Sequence, residues 1–232
     1  MSRIFCVGDI HGCQNTLQDL LTNKIGLLKT DKIVFLGDYI DRGPDSKGVV
    51  DLIMDLYKKD YDVTCLLGNH EEMFIESDND DEIFAFWVKR CGGLKTLTSF
   101  NVASYDELND AYKYFFKTLL HYKIINKKYI AVHAGLNFNN TDIFEDKYAM
   151  LWERNTVIDD SLLLDRFIIH GHTPQKIERT IEQLNHIANN RIVNIDNGCV
   201  FRNDEELGKL TAIELSTWKI YSSRNVDYLN MQ

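Results

Sequence analysis

The chain has 232 residues, 44% hydrophobic and 26% charged, which is the usage of an ordinary globular protein and excludes a disordered tail, a collagen or a mucin stalk. Lys and Arg total 26 against 35 Asp and Glu. The resulting net charge of −9 gives no footprint for a nucleic-acid backbone, so any phosphate must be met by a local positive feature such as an arginine pair or a metal. The five cysteines (Cys6, Cys13, Cys65, Cys91 and Cys199) are odd in number and contain no CxxC pair, which argues for a reducing compartment and against a disulfide framework or a thiolate zinc site. The amino-terminal apolar run stops at Asp9, and no uncharged apolar stretch approaches the ~18 residues of a membrane span. A soluble cytoplasmic protein without a membrane partner is expected. No repeat or Gly/Ser linker divides the chain, which reads as one domain over residues 1–232.

Short runs rich in β-branched and aromatic residues predict strands at Ile4–Val7, Ile33–Leu36, Val63–Leu67, Tyr129–Val132, Phe167–Ile169 and Ile192–Ile195. Between the first two, Leu17, Leu20, Leu21, Ile25 and Leu28 recur at helical spacing. Val49, Val50, Ile53, Leu56 and Tyr57 do so after Pro44, a helix-start residue. Alternating strands and helices argue for parallel βαβ units and an α/β fold. Glu76 to Glu82 reads as a solvated loop. Asp80 to Tyr122 reads as mostly helical, with one apolar face at Phe84, Trp87 and Val88, a break at Gly92-Gly93, and a second face at Tyr112, Phe115, Phe116 and Leu119. Leu210–Leu215 and Trp218–Ser222 read as a hairpin turning at Ser216-Thr217.

Polar clusters with glycine follow the strands: GDIHG from Gly8, GDYIDRG from Gly37, GNHE from Gly68, HAG from His133 and HGHT from His170. The carboxyl ends of parallel strands are where an open α/β sheet builds its site. Asp9 and His11, two residues apart at a strand end, converge on one point. Asp38, Asn69, His133 and His172 complete a set of three nitrogens and three oxygens without a thiolate. That mix suits Mn²⁺, Fe or Zn²⁺ and is too nitrogen-rich for Ca²⁺. Six ligands are too many for one open catalytic ion; two ions about 4 Å apart sharing a carboxylate fit better. His121 and His186, away from the motifs, read as surface or structural residues, and His170 as support for its neighbour. Glu71 and Glu72 read as helix N-terminal charges. Asp196-Asn197-Gly198 is either a turn or a partner to a metal-ligating histidine. Cys6, Cys13 and Cys199 read as small buried hydrophobes.

In this order, from residue 3 to about 200, the motifs resemble the phosphoprotein phosphatase family of calcineurin-like metallophosphoesterases, in particular its short bacterial and phage-type serine/threonine phosphatases. The resemblance implies a two-sheet β-sandwich flanked by helices. It implies a dinuclear centre in which Asp9 and His11 bind the first ion, Asp38 bridges, and Asn69, His133 and His172 bind the second. His70 would be the proton donor supported by Asp41, and Arg42 would grip the phosphate. Arg154 is the best match to a further phosphate-binding arginine. A water shared by the ions would then attack phosphorus directly, without a phosphoenzyme.

The first expectation is hydrolysis of phosphoserine or phosphothreonine in proteins, or of a phosphorylated small molecule, with two divalent ions, Mn²⁺ first. The second is a symmetrical bis(5'-nucleosyl)-tetraphosphatase. Those enzymes carry Ala and Asp where this chain has Asp41 and Glu71, which favours the protein phosphatase. A nuclease is disfavoured by the acidic charge and Arg42, and an inactive scaffold by the complete motif set. Specificity is expected to depend on Glu72–Tyr122, which could overhang the site.

Overall fold

Alternation along very short strands decides the layering. In a computed structural model, which describes residues 2–227, β1 (Ile4–Val7) is buried along its whole length. Phe5 and Val7 face a core that includes Leu17, Leu20, Val49 and Ile53 from the helices, whereas Ile4 and Cys6 face a second core that includes Ile169 and Val193. A strand buried on both faces reads as a continuous apolar run, which is why these segments stood out in the sequence.

The first sheet adds β2 (Lys32–Phe35), β3 (Asp62–Cys65), β8 (Lys209–Glu214) and β9 (Lys219–Arg224), in the order β3-β2-β1-β8-β9. The second is β4 (Tyr122–Ile125), β5 (Tyr129–Val132), β6 (Phe167–His170) and β7 (Ile192–Asn194), in that order. The pairs β1–β2, β2–β3, β5–β6 and β6–β7 are parallel. Ile4, Val34 and Ile213 of one sheet meet Ala131, Ile169 and Val193 of the other, so the second core lies between the sheets. A third core, with Ile130, Val132 and Ile168, covers the outer face of the second sheet with Leu136, Met150 and Leu163. This is the helix-flanked two-sheet sandwich expected from the motifs.

Several sequence expectations are corrected. The helical run from Leu17 is an α-helix, Gln14–Asp19, that passes into a π-helical turn, Leu20–Ile25, and Leu28 lies beyond it, exposed. Pro44 precedes the cap Asp45 of the helix Ser46–Lys58. The solvated loop is shorter than expected, because the helix Asp81–Phe86 starts at Asp81 with Asp80 as its cap. A strand that was not expected, β4, begins at Tyr122, where the mostly helical stretch was expected to end. β4 pairs antiparallel with β5 at the sheet edge, and Lys123 and Ile124 are exposed, so the half-buried pattern did not announce it. The hairpin β8–β9 is present, but residues 215–218 form its connection, and Trp218 takes a positive φ of 57° there. All five cysteines are free, four of them buried. Among the described residues no helix is long and apolar enough to cross a membrane.

One tie fastens the start of the sandwich. Arg3 donates to Asp31 through Nε (3.1 Å) and a terminal guanidinium nitrogen (2.5 Å), and the Leu28 N–H donates to the same carboxylate (2.8 Å). Burial alone would raise the Asp31 pKa, but these donors hold it below the ordinary carboxylate value. A depressed folded-state pKa contributes stability above the unfolded value, about 3.9, and loses it as pH falls through the folded value. Asp31→Asn is therefore expected to cost about 1–2 kcal/mol at pH 7 and much less at pH 3 in urea unfolding. An equal gap at both pH values would remove the charge pair as the cause.

Candidate active site

The strands end at one edge and their following loops turn inward together. Left-handed backbone makes this possible: His11 (φ 49°), Asp38 (52°), Asp41 (73°), Arg42 (63°) and His172 (71°) all adopt it. Such conformations are uncommon for residues other than glycine and concentrate where surrounding structure enforces them. The enforcement is visible. The amides of Ile10 and His11 both donate to the Asp38 carbonyl (3.0 and 2.8 Å), and Gly12 N donates to Tyr39 O (2.8 Å). Gly171 N donates to His133 O (2.8 Å), tying the loops of the second sheet.

Imidazole tautomers follow from these ties. His11 Nδ1 lies 2.9 Å from the Ile40 carbonyl and His133 Nδ1 lies 3.0 Å from the Leu36 carbonyl, so each carries its proton there and turns a lone pair on Nε2 into the site. His133 Nε2, Asn69 Oδ1 and His172 Nδ1 stand 3.0–3.2 Å from one another, and Asp38 Oδ1 is 3.5 Å from His133 Nε2. A second group, His11, Asp38 and His70, converges on the other side of the same carboxylate, with His11 Nε2 3.4 Å and His70 Nε2 3.9 Å from Asp38 Oδ2. Arg42 donates to both Nε2 atoms there, at 2.7 Å to His11 and 2.8 Å to His70. Asp9 is buried, and its oxygens accept from the His172 amide (3.0 and 3.2 Å).

The electrostatics are those of a cation site. Burial pushes the pKa of His11, His133 and His172 down, His172 to about 3, so these rings are neutral and offer lone pairs. Burial would raise the Asp38 pKa, but in the acid range where the rings around it take up protons, the charges of His133, His70, His11 and His172 hold it below the ordinary carboxylate value. Asp9 is pushed up, by burial first and then by the like charges of Asp196 and Asp38; Asp196 is pushed up to about 7 by burial. Inward lone pairs around the Asp38 carboxylate, with His172 Nε2 buried and unpartnered, fit divalent ions in ligand type and charge.

A family model for calcineurin-like phosphoesterases matches residues 2–210. The chain belongs to that family. A curated relative, the asymmetrical bis(5'-nucleosyl)-tetraphosphatase PrpE of Anoxybacillus flavithermus, is 26% identical over 89% of this chain and 88% of its own length. Among solved structures, a protein inferred to be a diadenosine tetraphosphatase superposes with a TM-score of 0.60 at 20% identity, over 97% of this chain and 94% of that one. A serine/threonine phosphatase of Saccharomyces cerevisiae, similar to human PP5, superposes at 0.63 with 17% identity, over 97% and 80%. This phosphoesterase thus shares their fold, and its family implies divalent metal ions.

Behind the open edge lies a layer from which the sequence reading assigned only Asp41 to the site. Asp41, fully buried, faces His70 Nδ1 at 2.5 Å and also accepts from Trp87 Nε1 (2.6 Å) and Thr96 Oγ1 (2.6 Å). The Asp41 amide donates to Thr96 Oγ1 (2.9 Å) and Ser46 Oγ (3.0 Å). Trp87 reads as plain core from its spacing; only its indole N–H gives it this second task. The Gly92-Gly93 break serves the same contact. A Cβ on Gly93 would stand 2.4 Å from the Trp87 ring, and one on Gly92 2.7 Å from the Arg42 amide. Glu71 lies in the first turn of the helix Asn69–Glu76, as expected, but it is fully buried and does more than cap it: its carboxylate accepts from the amides of Asp38 (2.8 Å), Tyr39 (2.8 Å), Ile40 (3.2 Å) and Gly68 (3.1 Å).

Other expected residues are placed as follows. Arg154 is exposed at the rim, its guanidinium 3.4 Å from Thr173 Oγ1 and near enough to lower the His172 pKa. Asp196 accepts from Gly198 N (2.8 Å), the turn of the two readings. His170 Nδ1 faces the Gly171 carbonyl (3.2 Å). His186 sits at the end of the helix Ile177–Asn185. Thr96→Val leaves a buried Asp41 oxygen unpaired and should cost about 2 kcal/mol in urea unfolding, while Ser46→Ala, whose partner keeps Thr96, should cost under about 1 kcal/mol. Equal losses would dissolve the network.

Proposed function

We propose that this phosphoesterase hydrolyses dinucleoside polyphosphates. The observation that carries hydrolysis is the convergence of buried imidazoles and Asn69 on the two sides of Asp38. In this reading Asp9, His11, Asp38, Asn69, His133 and His172 hold two divalent ions, Mn²⁺ before Fe or Zn²⁺, which supply positive charge to the phosphoryl oxygens and acidify water. Arg42, on the side of His11 and His70, and Arg154 at the rim would meet the remaining oxygens with planar, forked donors. His70 would pass a proton to the departing oxygen through Nε2, the atom that accepts from Arg42 until the phosphate takes up that guanidinium, and Asp41 holds the ring by Nδ1. The nucleotide substrate is supported by the match to PrpE, which spans most of both chains.

Asp41 and Glu71, which in the sequence favoured a protein phosphatase, carry less weight here. Both are fully buried, and their bonds go to the protein itself, so neither touches a substrate. Phosphoserine or phosphothreonine in proteins is the second reading. The Asp41–His70 pair favours it, because a poor alkoxide leaving group needs a proton donor more than a polyphosphate does.

The test is kcat/KM of the Mn²⁺-loaded protein on diadenosine tetraphosphate and on a phosphothreonine peptide, side by side. A preference of ten-fold or more for the dinucleotide is expected; the reverse preference would replace the first reading with the second. His70→Asn should lower kcat on an alkyl phosphate by about 10²–10⁴-fold and on an activated aryl phosphate far less. Equal losses would remove His70 from the proton-donor role.

A further inference from the structure

A groove of about 480 Å³ opens beside the site, lined by three helices: Asn69–Glu76, Asp81–Phe86 and Lys147–Trp152. Its size is in the range of small-molecule pockets. Tyr148 and Trp152, one helical turn apart, lie nearly parallel, with ring centroids 6.2 Å apart and 20° between planes. Tyr148 is 71% exposed and Phe86, on the facing helix, 53% exposed. Large apolar rings left in water on two sides of one groove mark a surface built for contact. Trp152 joins the groove to the site: its ring stands edge-on to His172 at 6.2 Å, and its Nε1 donates to Glu72 Oε2 (2.8 Å).

The charge of the groove selects among occupants. Among the described residues its charged lining is entirely acidic, Glu72, Glu76 and Glu82, so it repels phosphate and offers only acceptors. A substrate whose phosphates lie at Arg42 and Arg154 would therefore direct its uncharged, flat end here. An aromatic ring with outward N–H donors meets both demands, stacking on the exposed faces and donating to the carboxylates.

We propose that this groove is a nucleobase subsite, in which a purine stacks on Tyr148 and Phe86 and donates its exocyclic amino hydrogens to the rim glutamates. The proposal rests on the reading of the site as a nucleotide phosphohydrolase and assigns its nucleoside end. Stacking on an aromatic side chain is sequence-tolerant, because every base has a π-face, so discrimination between adenine and guanine would fall to the glutamates.

The full-length, Mn²⁺-loaded protein is titrated with adenosine diphosphate and separately with inorganic pyrophosphate, following indole fluorescence, and the titrations are repeated on Tyr148→Ala and Phe86→Ala. Both side chains are exposed, so both variants should fold. Wild-type protein should bind the nucleotide at least ten-fold more tightly than pyrophosphate, and each variant should reduce that ratio by about ten-fold, within what a lost base–aromatic stack is worth. A wild-type ratio near one, or a ratio unchanged in both variants, would overturn the subsite. Competition of the nucleotide by an arginine-rich peptide that Tyr148→Ala no longer binds would assign the groove to a basic peptide instead and overturn it equally. Turnover of diadenosine tetraphosphate is read on the same samples. Base-dependent binding without turnover would sink the proposed substrate and keep the subsite, whereas turnover with base-independent binding would do the reverse.

Discussion

A buried carboxylate at the meeting point of two sheets sets the terms for this molecule. Asp38 follows β2 of the first sheet, yet His133, delivered by β5 of the second, comes within 3.5 Å of it. Isolating a carboxylate from water is costly unless its surroundings supply donors or positive charge. Here the nearest side chains are imidazoles, of which burial keeps His11 and His133 neutral, and Asp9 and Asp196 add further acidic groups to the same region. One guanidinium, from Arg42, stands among them. Such a set of groups is self-consistent around divalent cations, and the fold is arranged to keep it from relaxing into anything else.

That arrangement explains why two acidic residues far from solvent are built into the loops. Glu71 gathers four backbone amides from two loops onto one carboxylate, fixing the entrance to the helix Asn69–Glu76 relative to the chain after β2. Asp41 does the same for His70, Trp87 and Thr96. With both struts in place, five side chains of the site can be held on left-handed backbone, at a conformational cost of order 1–3 kcal/mol each in unfavourable cases. The geometry of these loops is thus held by hydrogen bonds that two buried carboxylates accept, from the main chain at Glu71 and from side chains at Asp41, in addition to the apolar cores beneath them.

The parts legible in the sequence were those where chemistry and periodicity agree. Ile4–Val7 announced a strand because both of its faces are buried, and Asp9 and His11 announced a site because glycine-flanked polar residues at a strand end have little other reason to be there. The parts that stayed hidden depend on partners remote in sequence. Tyr122–Ile125 is an edge strand with half its residues in water, so its apolar signal is weak. The π-helical turns at Leu20–Ile25 and Trp87–Cys91 keep nearly the same apolar spacing as an α-helix, and only their backbone hydrogen bonds differ. Trp87 advertised a ring to bury, whereas its bond to Asp41 spans 46 residues and no local rule encodes it.

The segment expected to overhang the site divides its labour instead. Trp87 and Thr96 lie behind Asp41, where they hold the carboxylate that faces His70, while Glu72, Glu76, Glu82 and Phe86 line a groove beside Trp152, whose ring stands edge-on to His172. On the proposed reading, substrate choice and chemistry would be separable in this chain. The residues around Asp38 would act on a phosphoryl group whatever it is attached to, and selection would fall to the neighbouring surface, where acidic side chains repel further phosphate and exposed rings suit a flat partner. Change in that surface would then redirect the enzyme without disturbing a bond around Asp38, which is how one core of loops can serve relatives with different substrates.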